Sequence, residues 1–398
     1  MNYVAIKMLV GDRAKYFGII MGLTFASLLI TQQAAIFCGL MTRTYGAITD
    51  LGGPDIWVMD KKVQFIDDIK PLQDTQLYRV RGISGVEWAV PLYKGLIKAR
   101  LDNGNFQTCN VLGLDDATLI GGPPKMVPDS TGAMGHLEDL RRSESVIVDR
   151  IGAEGKLAKI PLDEKGNPVP GMVPIPLKIG DTLELNDHRA VVVGICENSR
   201  TFQSQPVVYT TYSRATTFAP QERKLLSFIL VKAVAGVDPK QLCQRITSAT
   251  GLGAFTRKDF IWKTVNYFMI NTGIPINFGI SVALGFFVGT VIAGQTFYNF
   301  TLDNLKHFGA LKAMGANNST LFKMIVFQAL MVGAIGYGLG LGLASLFGSL
   351  TSKSELAFWM PWQLLLVSAA AVTIICIISA VISLSKIITL EPAIVFKG

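Results

Sequence analysis

The residues able to do chemistry are few, and their spacing denies them most of it. The histidines are His136, His188 and His307, far apart in the chain and without the close spacing of a zinc site or a histidine-dependent hydrolase. The carboxylate pairs Asp67-Asp68, Asp115-Asp116 and Glu138-Asp139 have nothing nearby in sequence to tie them into an acid–base pair, so they read as solvated surface. No G-x-x-x-x-G-K-[ST] occurs, so the chain lacks the glycine loop that cradles nucleotide phosphates. If ATP drives this protein, a partner must hold it. No catalytic, cofactor-binding or metal-binding residue is expected on the chain itself. The cysteines include no C-x-x-C pair. Cys38 and Cys376 belong to apolar runs, which leaves Cys109, Cys196 and Cys243, an odd number that permits at most one disulfide.

A different kind of chemistry, that of docking, is suggested by Thr301–Thr320, a short basic stretch between two long apolar runs. Asp303 is placed to cap a helix opening with Asn304-Leu305-Lys306, and Gly315 with Asn317 and Asn318 supplies its stop. Leu305, Phe308, Leu311 and Lys312 fall on one face at helical spacing, with Lys306, His307 and Lys312 around it. A plain loop whose lysines only fix orientation is the competing reading. Glycines mark a second kind of contact. Gly285/Gly289, Gly336/Gly340 and Gly338/Gly342 are G-x-x-x-G pairs, which let helix backbones approach closely, within one subunit or between two copies. Gln32, Gln33, Gln295 and Gln328 lie in or near apolar runs, where interhelical hydrogen bonding is the expected role.

The elements that must position these residues follow from hydropathy. Of the 398 residues, 50% are hydrophobic and 17% charged, a balance that fits membrane helices plus one sizeable soluble domain. The net charge of +8 is scattered, with no basic run and no nucleic-acid motif, so no nucleic-acid partner is expected. Residues 1–15 read as an amphipathic helix on the membrane surface. Residues 16–41 are uncharged and long enough to span about 30 Å of hydrocarbon; the run is too long for a cleaved leader and is read as a retained span. Further spans are expected at 276–300, 324–350 and 357–385, with a tail at 386–398. Lys7, Arg13, Lys15, Lys306, Lys312, Lys323, Lys386 and Lys397 then share one side, the cytoplasmic one. Lys353 sits in the short outer link.

Residues 42–275 form the soluble part. Strands are expected at Asp55–Asp60, Ser145–Asp149 and Leu226–Ala233, with helices at Pro71–Val80 and Asp238–Thr250. Hairpins are expected where Tyr93–Leu101 and Phe106–Leu114 flank Asp102-Asn103-Gly104, and where Thr182–Leu185 and Ala190–Cys196 flank Asn186-Asp187. Gly121–Gly135 and Asp163–Pro176 read as loops. The layout is two α/β halves, 43–115 and 223–260, around a β-rich insertion, 116–222. Trp262, Tyr267 and Phe268 are expected at the outer membrane interface, and Pro275 divides the uncharged stretch that follows Lys263.

The run Lys306-His307-Phe308-Gly309-Ala310-Leu311-Lys312-Ala313-Met314-Gly315-Ala316 resembles the (R)E-(I/L)-G-x-L-(K/R)-A-(L/M)-G-A signature of MacB/FtsX/LolE-type (type VII) ABC transporter permeases. Thr256-Arg257-Lys258-Asp259-Phe260 and Asn271-Thr272-Gly273-Ile274-Pro275 look most like the DevC-like exporters, and Leu390-Glu391-Pro392-Ala393 is similar to the family tail. The resemblance implies an α/β plus membrane α-helical fold, with four transmembrane helices and a porter-like extracytoplasmic domain between the first two. It implies a coupling helix seated on a separate ABC ATPase subunit through Leu305, Lys306, His307, Phe308, Gly309, Leu311, Lys312, Met314 and Gly315, with ATP and Mg on that partner. It further implies a homodimer in the lipid of a bacterial inner membrane, with a periplasmic adaptor (membrane fusion) protein and an outer-membrane channel. An FtsX-like regulator of a cell-wall hydrolase is the alternative. His307 replaces the family's acidic residue, which weakens a salt bridge there and leaves docking to Leu305, Phe308 and Leu311.

Overall fold

The computed structural model describes residues 2–161, 172–220, 226–351 and 354–388. In chain order these form α1 (Asn2–Gly11), α2 (Arg13–Asp50), β1 (Ile56–Met59), α3 (Thr75–Arg81), β2 (Val86–Arg100), β3 (Phe106–Leu114), β4 (Lys125–Val127), β5 (Ser145–Asp149) and α4 (Arg150–Glu154). Next come β6 (Thr182–Leu185), β7 (His188–Glu197), β8 (Val207–Thr211), α5 (Tyr212–Phe218), β9 (Phe228–Ala233), α6 (Pro239–Thr250) and β10 (Gly253–Thr256). The chain ends in α7 (Arg257–Asn271), α8 (Ile274–Asp303), α9 (Leu305–Ala313), α10 (Asn318–Leu350) and α11 (Trp362–Ile388). Residues 163–171 of an expected loop, the start of the second half at 223–225, Lys353 and the tail from 389 lie outside the described residues. Two compact units result, Met1–Leu40 with Thr272–Gly398, and Met41–Asn271.

The first unit is helical. α2, α8, α10 and α11 are each long and apolar enough to cross a membrane. Their shared core includes Leu23 and Ala26 of α2, Phe297 and Phe300 of α8, Ala329 and Val332 of α10, and Val372 and Ile375 of α11. Ile280, Phe287, Leu339, Leu343, Leu366 and Val367 point outward, a composition suited to lipid rather than water. Polar groups inside hydrocarbon must find partners in the protein. Thr301 and Ser383 accordingly hydrogen-bond to each other, and Tyr337 donates its hydroxyl to the carbonyl of Leu365 at 2.8 Å. α1 buries Ala5 and Leu9 in this core and exposes Lys7.

Several boundaries differ from those read in the sequence. α2 continues from the span expected to end at residue 41 through to Asp50, about 57 Å of helix at 1.5 Å per residue. No proline or glycine cluster interrupts it, so hydropathy marks where the lipid ends and not where the helix ends. α10 begins at Asn318 and so includes Lys323. α11 begins only at Trp362, because Ala357–Pro361 forms no helix and the Trp359 amide instead donates to the Ala35 carbonyl at 3.1 Å. Pro275 sits in the first turn of α8, where its missing N–H costs nothing.

The second unit is an α+β domain built on a frame of β1-α3-β2 and β9-α6-β10. Their order in the sheet is β10-β1-β9-β2, antiparallel throughout, the split βαβ arrangement. Side chains alternate across such a sheet. Ile56, Val58, Ile229 and Val231 pack with Leu77 and Val80 of α3 and Leu242 and Ile246 of α6. Trp57, Met59, Val90, Leu92, Phe228 and Leu230 form the opposite face, covered by Ile48, Leu51, Phe260 and residues of the insertion. Both faces are buried, which is why the strands read as continuous apolar runs. At α6 the Asp238 carboxylate accepts from the Lys240 amide at 3.2 Å, and Gly251 closes the helix at φ +79.

β2 belongs to two sheets. Val86–Leu92 pairs with β9, and Tyr93–Arg100 pairs with β3. From there the pairing runs β3-β8-β5-β7-β6 and returns to β2 through Ala99 opposite Leu185, so the insertion's strands close on themselves. Val111, Val146, Val148, Val192 and Val208 belong to the core they share. The insertion therefore begins at Tyr93 rather than at residue 116, because β3 pairs only with insertion strands and the far half of β2. Asn186 and Asp187 both have positive φ, as the tight β6–β7 turn demands. The helix expected over Pro71–Val80 starts at Thr75, since Leu72 bridges to Leu226 instead. The stretch Gly121–Gly135 holds strand β4, not loop alone. Tyr267 and Phe268 are not free at an interface: Tyr267 stacks on Phe65 at 4.4 Å, Phe268 is buried, and Trp262 alone of the three is exposed.

Candidate functional site

The corner between α8 and α10 is shaped by three local features. Asn304 leaves helical geometry at φ −94 and ψ 11, and its side-chain amide donates to the Phe300 carbonyl at 2.9 Å, ending α8. α9 then runs until Gly315, whose φ of +97 only glycine adopts without strain. There the Ala316 amide donates to the Leu311 carbonyl at 3.0 Å and the Gly315 amide to Lys312 at 3.1 Å, the paired bonds of a Schellman stop. Asp303 does not cap α9. It is the last residue of α8 and forms an ion pair with Lys15, which also holds Asp12 at 3.0 Å. The hydrogen bond from Lys15 is the main reason the Asp12 carboxyl sits below the usual carboxylate range.

The faces of α9 are the reverse of the docking arrangement expected. Phe308 is 1% exposed and belongs to the core of its own helical unit, with Leu305 and Leu311 packed beside it. Gly309 is buried as well. The apolar stripe thus holds α9 to its own chain, with Leu305 and Leu311 only half-buried beside the fully buried Phe308. Outward face Lys306, His307, Ala310, Ala313 and Met314, the last 76% exposed. Lys312 is half-buried.

The glycine pairs divide in the same way. A Cβ on Gly336 would lie 2.7 Å from Leu23 Cβ, and one on Gly340 would lie 2.6 Å from Ser27 Cβ, so α10 rests on the backbone of α2 there. Gly285 meets Leu29 at 3.2 Å and Gly289 abuts Ala26, giving α8 the same close seat on α2. Gly338 and Gly342 have no such neighbour within 4 Å among the described residues and lie on an open face of α10. A further G-x-x-x-G pair, Gly18/Gly22, goes unused in the sequence reading: Gly22 would meet Ile292 at 2.6 Å and Gly18 would meet Thr296 at 3.7 Å. Gln328 makes the expected interhelical bond, donating to the Ala5 carbonyl at 2.7 Å.

Residues 279–392, from α8 through α11, match the family model FtsX-like permease C-terminal. The stretch from α8 through α11 is thus similar to an FtsX-like permease C-terminal domain. Over 221 residues the chain is 25% identical to the uncharacterized ABC transporter permease Rv0072 of Mycobacterium tuberculosis, covering 55% of this chain and 58% of that protein. It is 26% identical over 204 residues to the permease MJ1507 of Methanocaldococcus jannaschii, covering 48% and 50% of the two chains. The chain thus spans little more than half the length of these curated relatives. Among solved structures, the periplasmic region of MacB from Actinobacillus actinomycetemcomitans aligns with 56% of this chain and 96% of its own, at 16% identity and a TM-score of 0.34. The extracellular domain of the noncanonic ABC-type transporter YknZ aligns with 51% and 98%, at 13% identity and a TM-score of 0.33.

α9 lies inside the matched segment, between α8 and α10. Of the expected coupling residues, the corner brings Lys306, His307 and Met314 to the surface together. It buries Phe308 and Gly309, half-buries Leu305 and Leu311, and uses Gly315 as the stop. His136 is exposed before a 3₁₀ turn, and His188 lies at the start of β7. Among the described residues no three His, Cys, Asp or Glu side chains are grouped to hold a metal ion. Asp67 is exposed, as read from the sequence, and also pairs with the buried Lys94.

Proposed function

We propose that this chain is the permease subunit of an ATP-driven ABC exporter in a bacterial inner membrane, working as a homodimer with two ATPase subunits. The observation that carries the reading is α9, a short helix pinned by Phe308 to its own membrane core, with Lys306, His307, Ala310, Ala313 and Met314 turned outward. A helix held this way passes on a push from outside without unfolding. ATP and Mg reside on the partner, since no phosphate-binding loop occurs in this sequence. Closure of the ATPases on nucleotide moves α9 and, through the long stiff α2, biases the α+β domain, which expels substrate on the periplasmic side to an adaptor protein and an outer-membrane channel. The size of that domain, Met41–Asn271, favours export over regulation of a cell-wall hydrolase.

Purification of the tagged chain from native membranes, followed by mass spectrometry of what accompanies it, tests this. An ABC ATPase in equal amount, with an adaptor, supports export. An ATPase with a hydrolase and no adaptor supports the regulator, and recovery without any ATPase overturns both.

A further inference from the structure

In the soluble unit, the loop that follows β1 and the side of α7 packed against it enclose a hollow of about 690 Å³ that the exporter reading does not use. Its lining sets four lysines, Lys61, Lys62, Lys70 and Lys263, against one carboxylate, Asp68. The loop is braced from within. Val63 and Ile66 are buried in the apolar cluster beneath it, and Phe65 stacks on Tyr267 of α7 at 4.4 Å. The Asp60 carboxylate accepts from the Lys62 amide at 2.8 Å, and Asp68 Oδ2 accepts from the Gln64 amide at 3.0 Å. Both acids are thus engaged by the loop's own backbone. Walls already ordered in this way do not have to be ordered by a ligand, which favours binding.

What remains is an excess of positive charge. Asp68 Oδ1 pairs with Lys70 at 2.8 Å, whereas Lys61, Lys62 and Lys263 have no carboxylate within salt-bridge distance among the described residues. Four lysines less one acid leave the lining at +3, or +2 when the neighbouring Asp60 is counted. Lys61 and Lys62 are exposed, so water satisfies them at little cost. Lys263 differs. It is half-buried, and its ammonium lies over the Phe255 ring at 4.2 Å from the centroid, a contact that steadies the charge without neutralising it. Burial holds this ammonium below the usual lysine range although the Asp68 charge pulls the other way, as for a cation short of an anion. A carboxylate ligand would cancel only one charge. A phosphate monoester or a pyrophosphate carries about two or more, spread over several oxygens, which suits lysines acting as point charges from several directions. We propose that this hollow binds a phosphate group of at least two negative charges, held by Lys61, Lys62 and Lys263, on a soluble ligand or at the head of a lipid.

The proposal stands apart from the exporter reading, because binding is read at equilibrium without ATP or partners. The test uses the full chain in phosphatidylcholine nanodiscs and radiolabelled inorganic pyrophosphate, in equilibrium dialysis against empty nanodiscs. A saturable component of one site per chain above the empty-disc background is expected. Lys61→Gln with Lys263→Gln weakens it about tenfold or more, the scale of a lost charge-assisted hydrogen bond. Lys98→Gln with Lys240→Gln removes two exposed charges from outside the hollow and leaves binding within about twofold. Methyl phosphate, a dianion, displaces the probe about tenfold better than dimethyl phosphate, a monoanion. Discs containing phosphatidic acid, set against discs of matched charge containing phosphatidylglycerol, separate the two sources. Displacement of pyrophosphate by phosphatidic acid alone supports a lipid head, and undiminished binding in both supports a soluble ligand. No saturable component, or equal weakening by the two double variants, overturns the site. Equal displacement by the two methyl esters overturns the dianionic class. If Lys263→Gln fails to fold, Lys61→Gln with Lys62→Gln and the two esters on the wild-type chain still decide.

Discussion

Arg257 donates from Nε to the Ile48 carbonyl at 3.2 Å and from Nη2 to the Thr49 carbonyl, so the first residue of α7 closes the C-terminal end of α2. The last carbonyls of a helix lack partners within it and carry partial negative charge, which a guanidinium meets in both respects. Beside it, the Asp50 carboxylate accepts from the Ser199 amide at 2.8 Å and its hydroxyl at 2.9 Å. Arg257→Ala removes two charge-assisted hydrogen bonds and should destabilise the soluble unit by about 2 kcal/mol. Thermal unfolding of the purified chain checks this, with Arg257→Lys recovering part of the loss.

The two faces of α9 make opposite predictions. Met314→Asp changes an exposed side chain, so stability should move by no more than about 0.5 kcal/mol while the ATPase is lost on co-purification. Phe308→Ala empties a fully buried site and should cost about 3 kcal/mol or more, visible as lost expression and a lower unfolding temperature. Leu311→Asp should behave like Phe308→Ala, since Leu311 packs inward. Full ATPase recovery with Met314→Asp would remove the coupling role from this face.

Gly336→Ala puts a methyl group 2.7 Å from Leu23 Cβ and 3.2 Å from the Thr24 amide nitrogen. The backbone of α2 cannot yield as a flexible side chain would, so a cost of about 1–3 kcal/mol is expected. Gly338→Ala and Gly342→Ala meet open space and should leave thermal stability in detergent unchanged. If those two glycines touch a second copy, their alanine variants lower the dimer fraction in cross-linking without lowering the unfolding temperature.

Asp149 carries the clearest pH signature. Burial pushes its carboxyl up to about 6, against hydrogen bonds from the Val207 and Gly152 amides that pull it down. The folded chain therefore holds this proton more tightly than the unfolded chain does. Its contribution to stability is full below about pH 4, falls as pH rises to about 6, and is flat above, for a change of about 3 kcal/mol at most. Asp149→Asn should flatten the unfolding temperature across that window. A slope unchanged in the variant would assign it to other groups.

What was legible in the sequence was local. The spans follow from runs without charge, and the stop of α9 from Gly315, because each depends on a few adjacent residues. Which way α9 faces was not legible: Leu305, Phe308 and Leu311 make the same stripe whether they cover the chain's own core or a partner's. The pairing of Lys94 with Asp67 joins residues 27 apart and has no signature in either stretch. β8 was passed over although Val207–Thr211 is rich in β-branched residues, since it pairs with strands distant in the chain. The insertion's start was misplaced because β2 crosses from one sheet to the other without a break in its pattern.

That crossing decides how separable the soluble unit is. Leu92 and Phe228 are register partners on antiparallel strands, so the chain leaves the βαβ frame and re-enters it at adjacent points. By topology alone, Tyr93–Ser227 could be cut out and the gap sealed with a tight hairpin turn. The packing forbids it. Ile147, Val193 and Tyr209 of the insertion share one apolar cluster with Trp57, Leu92 and Phe228 of the frame. Excision would leave the frame whole in connectivity and bare along one side, an aggregation hazard rather than a smaller domain. The insertion is a cassette by the path of the chain, yet by its interior it is no longer removable.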